Sequence, residues 1–243
     1  MTEEATSFVQ DDNMHSSNCL VHLTGLWPYP EAQAWQRELV ERLRDNPEEP
    51  EHLILLEHPP VFTIGRSGSP ANILCPKEIL EREGIEVFPT ERGGDVTYHG
   101  PGQIVGYPIL RLDRRKKDVH WYLRQLEEVI IRALGTYGLS CRREAKFTGV
   151  WVGEKKICAI GVAISKWITF HGWALNVTTN LSHFSLINPC GITDRPVTSL
   201  YAETGIRYNS NDIEKSLVEA FAHVFEVRTV MCDFAECTCR RHA

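Results

Sequence analysis

Short runs of apolar and β-branched residues recur along the whole chain and are separated by turn-forming Gly, Pro, Asn and Asp. Runs of this length and composition are typical of β-strands. They predict strands over residues 19–23, 53–57, 61–65, 85–88, 104–110, 149–153, 156–165 and 173–177.

One longer segment, residues 118–137, has apolar residues three and four positions apart, which is the spacing of one helical face. Asp118 is its predicted N-cap and Gly138 its predicted end. The apolar stripe is expected to be core, not a cofactor site. It consists of Val119, Tyr122, Leu123, Leu126, Val129, Ile130 and Ala133.

Another helix is predicted over 31–45, and short helices are predicted over 76–83 and 181–187. A last helix is predicted to follow a capping box formed by Asn211 and Glu214. Strands that pair locally, with helices between groups of them, indicate an α+β fold around a mixed or antiparallel sheet.

The stretch between the strands at 85–88 and 104–110 is richer in glycine and polar residues than a plain hairpin requires. Paired glycines allow positive φ or close approach of another group. A rigid loop that exposes its backbone and carries many polar side chains is typical of a ligand-pocket wall, with an ordinary decorated β-loop as the alternative. The residues concerned are Arg92, Gly93, Gly94, Asp95, Val96, Thr97, Tyr98 and His99.

Composition limits the function classes. The chain has 243 residues, 42% of them hydrophobic, and its net charge of −6 gives no overall attraction to nucleic acid or anionic membrane. It has no apolar run long enough to span a membrane, and its acidic N-terminus lacks signal-peptide features, so a cytoplasmic location is expected. We expect a disordered acidic tail over 1–18, a single domain over 19–230 and a Cys-containing tail over 231–243.

Eight cysteines are mostly isolated and are expected to be reduced thiols. The spacing of those in the C-terminal tail fits no common zinc module, so no metal site is expected. Cys190 differs from the others because Pro189 and Gly191 place it on a sharp turn that would present its thiol. A buried, inert cysteine is the alternative.

A reactive cysteine needs a partner that favours its thiolate. Lys156 begins an apolar strand where its stem can be enclosed, although an exposed hairpin lysine like Lys155 is the alternative. His99 and His171 are alternative bases, and both are equally compatible with structural roles.

Several short motifs follow one another along the chain. They are 92–99 (RGGDVTYH) with Gly102 and Gln103, 148–151 (TGVW), 156–161 (KICAIG), 171–176 (HGWALN), 189–191 (PCG) and, more weakly, 197–200 (VTSL). In this order, the motifs resemble those of the octanoyltransferases that begin protein lipoylation. The similarity extends over roughly residues 20–228, and the ordered set is far more specific than any single motif. The resemblance implies the fold of biotin and lipoate protein ligases, related to the class II tRNA-synthetase core, with a mixed, largely antiparallel sheet flanked by helices.

The resemblance also implies an activity. Cys190 would be the acyl-thioester nucleophile and Lys156 the residue that lowers its pKa. The donor would be octanoyl-acyl carrier protein, and the acceptors would be lipoyl domains of 2-oxoacid dehydrogenase E2 subunits and the glycine cleavage H protein. No cofactor, nucleic acid or membrane is implied, and a monomer is expected. The acyl pocket would be lined by 92–99 together with Ala159, Ile160, Gly161, Gly172, Trp173 and Ala174.

Two positions depart from the family's usual pattern. Trp173 stands where leucine or phenylalanine is common, which predicts a reshaped acyl pocket. Cys158 stands where alanine or glycine is common, which predicts a second thiol near the site that can be alkylated. The basic cluster 114–117 is a candidate docking surface for acidic carrier proteins, and a solvated basic loop is the alternative.

Two rival functions remain open at this point. An ATP-dependent lipoate or biotin ligase would share the fold, but it would leave Cys190 and Lys156 unexplained. A catalytically silent module that binds acyl chains or lipoyl domains would not need those two residues either.

Overall fold

The computed structural model describes residues 18–188 and 195–232. These residues form an eight-stranded sheet, a three-stranded sheet and five α-helices. The strands are β1 (Asn18–Leu26), β2 (Glu51–Glu57), β3 (Val61–Ile64), β4 (Glu86–Pro89), β5 (Val96–His99), β6 (Gln103–Ile109), β7 (Cys141–Arg143), β8 (Val150–Val152), β9 (Lys155–Ser165), β10 (Ile168–Asn176) and β11 (Arg228–Met231). The helices are α1 (Tyr29–Asp45), α2 (Lys77–Glu83), α3 (Val119–Gly135), α4 (Leu200–Thr204) and α5 (Ser210–Phe225).

The large sheet is mixed, with its strands in the order β11-β1-β2-β6-β10-β9-β8-β7. β1 pairs in parallel with β2 and β11, whereas each pairing from β2 to β7 is antiparallel. The small sheet, in the order β4-β3-β5, also combines a parallel with an antiparallel pair. The predicted α+β architecture with a mixed, largely antiparallel sheet is confirmed.

Helices cover both faces of the large sheet, so its central strands β2, β6 and β10 are buried along almost their whole length. Along β2, Leu53 and Leu55 pack in the core formed with α3 and α5, whereas Ile54 and Leu56 pack in the core beside α1. In the part of the chain that is described, no helix is both long enough and apolar enough to cross a membrane.

The two predicted N-caps have different outcomes. Asp118 caps α3 as predicted, because its side chain accepts a hydrogen bond from the Trp121 N–H at 3.0 Å. The predicted cap at Asn211 is wrong. Asn209 has the extended backbone of a cap and accepts from the Asn211 N–H at 3.0 Å, which places Asn211 inside α5.

Three strands were not predicted. β5 lies inside the glycine-rich stretch, where its Val-Thr-Tyr-His sequence pairs antiparallel with β3. β7 and β11 are short edge strands that pair with β8 and β1. Each owes its extended conformation to a partner distant in sequence, which local patterns do not reveal.

Candidate active site

A cavity of about 530 Å³ lies against β6, β9 and β10, with the glycine-rich stretch on one side and the first turns of α3 on another. It brings together most of the residues for which the sequence predicts a site, although they come from separate parts of the chain. The predicted residues that line it are Arg92, Gly93, Gly94, Asp95, Val96, Thr97, His99, Lys156, Ala159, Ile160, Gly161, Gly172, Trp173 and Ala174.

Two predicted site residues are not among those that line the cavity. Tyr98 packs in the core of the small sheet, edge-on to the rings of Phe62 and Phe184. Cys190 lies outside the described residues. Its role as nucleophile therefore stays a prediction.

Close backbone contacts hold the glycine-rich stretch in place. The Gly93 N–H donates to the Val162 carbonyl at 2.9 Å, and the Gly65 N–H donates to the Asp95 carbonyl at 3.1 Å. A Cβ at Gly65 would lie 2.3 Å from the Gly94 oxygen, so the side chain of any other residue would force β3 and the stretch apart. The glycines thus allow the stretch to pack directly on strands β3 and β9.

The buried side chains of the stretch are tied to its surroundings. Arg92 donates to the Thr63 hydroxyl from Nε at 3.1 Å and to the Thr63 carbonyl from Nη2 at 2.6 Å. Asp95 accepts from Asn72 Nδ2 at 2.6 Å and from the Val96 N–H at 2.7 Å. Hydrogen bonds to charged groups are stronger than neutral ones, so these contacts make the cavity wall rigid.

His99 is held as a neutral imidazole. Burial, with His58 and Arg92 nearby, keeps the pKa of His99 well below its usual value. Its Nδ1 lies 2.8 Å from Gln103 Oε1, and its Nε2 lies 3.4 Å from the Thr63 hydroxyl. Both ring nitrogens therefore have protein partners, which favours the structural alternative for His99 over a role as base.

His171 also lines the cavity, and its backbone is unusual. Its φ of 56° lies in the left-handed region, and its N–H donates to Gln36 Oε1 of α1 at 2.8 Å. The ring Nε2 lies 3.3 Å from the Thr90 hydroxyl and 3.8 Å from Glu91 Oε2. Burial lowers the pKa of His171, while His171 and then Arg37 hold the pKa of Glu91 at about 2.

Lys156 is half-buried at the start of β9 and lines the cavity, in contrast to Lys155, whose side chain is 51% exposed and pairs with Glu203. The Lys156 ammonium lies 4.9 Å from the ring centroid of Trp151, within the range of a cation–π contact. The structure thus favours an enclosed Lys156 over the alternative of an exposed hairpin lysine.

The two unusual positions differ in accessibility. The Trp173 indole is 1% exposed, lines the cavity and packs directly on Gly106. Cys158 is fully buried, and burial raises the pKa of its thiol far above the usual value. The expectation that Cys158 is a readily alkylated thiol is therefore wrong, because both its access and its thiolate form are suppressed.

Sequence reasoning missed several lining residues. Val119 was assigned to the buried stripe of α3, but it is 40% exposed and faces the cavity. Tyr107 carries no local signal; its hydroxyl lies 2.8 Å from His58 Nε2. Thr148, His171 and Val197 did have a signal, since each opens one of the motifs, and His171 was also considered as a base. The remaining residues that line the cavity are Tyr29, Val105, Leu123, Lys146, Phe147, Val162 and Phe184.

The sequence matches known proteins over most of its length. Residues 28–222 match the family model for the lipoyl protein ligase A/B catalytic domain. An octanoyltransferase of Solibacter usitatus is 51% identical over 209 residues, which cover 86% of this chain and 94% of that protein. An octanoyltransferase of Nostoc sp. is 48% identical over 222 residues, which cover 91% of this chain and 99% of that protein.

Two solved structures share the fold. A bipartite lipoate protein ligase of Thermoplasma acidophilum, studied with its E2 lipoyl domain, has a TM-score of 0.71 at 18% identity, over 90% of this chain and 89% of that chain. A lipoate-protein ligase A bound with ATP has a TM-score of 0.69 at 18% identity, over 90% of each chain. These likenesses confirm the predicted lipoate-ligase fold.

Proposed function

Because the chain belongs to the octanoyltransferase family of acyltransferases, we propose that it transfers the octanoyl group of octanoyl-acyl carrier protein to lipoyl-domain lysines. The acceptors would be E2 subunits of 2-oxoacid dehydrogenases and the glycine cleavage H protein. The observation that carries the proposal is the cavity itself, which combines Lys156 with the glycine-rich stretch and residues 159–161 of β9.

The cavity suits an acyl chain. Its volume of about 530 Å³ lies within the usual range of small-ligand sites. The walls near β9 and α3 are mostly aliphatic, with Leu123, Ile160 and Val162 among them. Burying a methylene contributes about 0.8 kcal/mol, so the tail of an octanoyl group would gain roughly 5 kcal/mol there.

The proposed reaction has two steps. The Cys190 thiolate attacks the thioester carbonyl of the donor, the bond to the carrier sulfur breaks, and Lys156 gives its proton to the departing thiolate. Neutral Lys156 then takes a proton from the attacking lysine amine of the lipoyl domain, the bond to Cys190 breaks, and an amide forms. Conversion of a thioester to an amide is downhill, so the transfer needs no ATP.

Lys156 is a better candidate than either histidine for this role. Its ammonium is held beside the Trp151 ring, where a positive charge is stabilised. Burial favours neutral His99 and neutral His171, and a neutral ring stabilises a thiolate less than a cation does. Lys156 is therefore the residue that we expect to activate Cys190.

The basic cluster at 114–117 offers less charge for docking than the sequence suggests. Arg115 forms a paired contact with buried Glu51 at 2.6 Å, and Lys116 pairs with Asp118 at 3.1 Å. Arg114 donates to the Pro47 carbonyl. A charge reversal that tests carrier docking therefore has to avoid Arg115, whose loss would destabilise the fold.

We also propose that the activity resides in one catalytic domain over 19–230, and that the protein acts as a cytoplasmic monomer. Gel filtration with light scattering tests the oligomeric state, and a mass of one chain is expected. A stable dimer would contradict that part of the proposal.

Intact-mass spectrometry tests the chemistry. The protein is mixed with octanoyl-acyl carrier protein, and a lipoyl domain is then added without ATP. An octanoyl adduct on Cys190 that moves to the lipoyl domain is expected in the wild type. It should be absent in Cys190→Ala and strongly slowed in Lys156→Ala.

Two matched controls separate site chemistry from general damage. Cys158→Ala removes a buried thiol and Lys155→Ala removes the neighbouring exposed lysine, and both should form the adduct. Transfer that appears only with ATP and free octanoate would mean a ligase. No adduct under any condition would favour a binding module.

A further inference from the structure

A line of buried hydrogen bonds runs from the glycine-rich stretch to the backbone beside Lys156. His99 contacts Gln103 at the start of β6, and Gln103 Nε2 donates to Asn176 Oδ1 at 2.9 Å. Asn176, the last residue of β10, donates from Nδ2 to the Thr198 carbonyl at 3.0 Å. The line crosses the neighbouring strands β6 and β10 of the large sheet and joins residues of three motifs, those at 92–99 with Gln103, at 171–176 and at 197–200.

Each hydrogen bond in this line has only one possible assignment of donor and acceptor. The Thr198 carbonyl can only accept, so Asn176 must present its NH₂ group there and its oxygen to Gln103. Gln103 must then donate with its NH₂ group, which also reaches the Tyr98 carbonyl at 3.2 Å. Its oxygen is left to accept from His99 Nδ1 at 2.8 Å. Both amides are thus fixed in one orientation.

The line is also shielded from water. Gln103 is 1% exposed, Asn176 3% and Thr198 2%. A buried carbonyl that loses its donor gains no water in exchange. Removal of the Asn176 donor is therefore expected to displace the Thr198 backbone rather than leave it in place.

The Thr198 backbone is what pairs with Lys156. The Thr198 N–H donates to the Lys156 carbonyl and the Lys156 N–H donates to the Pro196 carbonyl, both at 2.9 Å. On the other side, Lys156 pairs with Trp151 of β8, over whose ring its ammonium lies. The backbone position of Lys156 therefore depends on the segment that Asn176 holds.

We infer that Asn176, oriented by Gln103, is a positioning residue that sets the place of the Lys156 ammonium in the cavity. This rests on the proposed function, in which Lys156 activates Cys190. The amides touch no reacting atom. They act through the Thr198 backbone, so a loss of their hydrogen bonds should alter Lys156 before it alters the rest of the cavity.

Thr169 provides a matched control on the same strand. It is fully buried in β10, accepts from the Leu110 N–H at 2.9 Å and donates to the Pro108 carbonyl at 2.8 Å. Thr169→Val removes two buried hydrogen bonds at the opposite end of β10. It is expected to reduce stability without disturbing Lys156.

The test compares Asn176→Ala with Thr169→Val in the full chain by two readouts. The first is hydrogen exchange at the Lys156 and Thr198 amides, corrected for the change in global stability. We expect exchange at least tenfold faster in Asn176→Ala and unchanged in Thr169→Val. Asn176→Asp keeps the acceptor for Gln103 and removes the donor to Thr198, so it replaces the alanine variant if that variant does not fold.

The second readout is the pH dependence of Cys190 alkylation by iodoacetamide, measured on its own peptide, together with the rate of octanoyl-adduct formation. Asn176→Ala should move the alkylation midpoint to higher pH by about one unit, because the thiolate loses its cation. Adduct formation should slow by up to about 100-fold, the typical effect of a small displacement of a reacting group.

Failure of this inference is distinct from failure of the proposed function. If the wild type forms the adduct and Asn176→Ala matches Thr169→Val in both readouts, the positioning role is refuted and the function stands. If the wild type forms no adduct but exchange rises only in Asn176→Ala, the function is refuted and the hold of Asn176 on Lys156 is supported.

Discussion

The contact between Gly106 and Trp173 predicts a strong and specific coupling between two central strands. These residues face each other across β6 and β10. A Cβ at Gly106 would lie 2.1 Å from Trp173 Cε2 and 2.2 Å from Cζ2. Carbon atoms pack at about 3.5–4.0 Å, so in Gly106→Ala the indole must move by roughly 1.5 Å.

The indole is 1% exposed and belongs to the core cluster, so a shift away from Gly106 must break its packing there or push it into the cavity. Gly106→Ala should therefore lower the free energy of unfolding by about 3 kcal/mol. Trp173→Leu alone should cost a similar amount, because it leaves a cavity. In the double variant the new methyl group occupies part of that cavity. The double variant should therefore lose about 2 kcal/mol less than the sum of the single losses.

Urea denaturation of the four proteins measures this coupling. Gly135→Ala is the control, since a Cβ at Gly135 would have nothing within 4 Å and the change should be neutral or slightly stabilising. Strictly additive losses would refute the steric argument. Because Trp173 also lines the cavity, Trp173→Leu should shift the preference towards thioesters longer than octanoyl, and an unchanged preference would refute its part in chain-length selection.

Two further predictions concern buried charge. Arg115→Ala leaves the carboxylate of Glu51 buried without its main partner, so it should lower the free energy of unfolding by about 3–5 kcal/mol. As a control, Lys77→Ala removes one partner of an exposed ion pair and should lower it by less than about 1 kcal/mol. Equal small losses for both variants in urea denaturation would contradict this prediction. Burial lowers the pKa of His58 to about 4, below its value in the unfolded chain. The stability that neutral His58 adds to the folded protein is therefore fully present above about pH 6.5 and is lost as the pH falls towards 4. Between pH 7 and 5, His58→Phe should therefore lose about 2 kcal/mol less stability than the wild type, and parallel losses would refute the role of this imidazole.

Local sequence patterns were sufficient to predict the elements that only need some apolar surface to pack against. The apolar stripe of α3 and the apolar run of β2 are of this kind, so the spacing of their apolar residues predicted both elements. Asp118 was predictable because a cap contacts only its own helix. At α5, Asn209 and Asn211 are both suitable caps, and the choice between them depends on where the chain leaves its extended conformation.

The details of the site depend on specific distant partners. Side chains alternate between the two faces of β5, which directs Tyr98 into the core of the small sheet. The pairing of β5 with β3 cannot be deduced from the glycine-rich motif. Arg115 looked like a docking charge because Glu51 lies far from it in sequence. The motifs named many residues that line one cavity, although Tyr98 packs elsewhere, whereas the hydrogen bonds that fix the geometry of these residues required the fold.

The position of β11 has a consequence for the timing of folding on the ribosome. β1 is among the earliest strands to be synthesised, and β11, its outer neighbour, is the last described strand. Until β11 emerges, the edge of β1 that includes Leu20 and Val21 has open backbone groups able to pair with another chain. The nascent protein therefore exposes this aggregation-prone edge of β1 until β11 has been synthesised, and pairing with β11 ends that exposure.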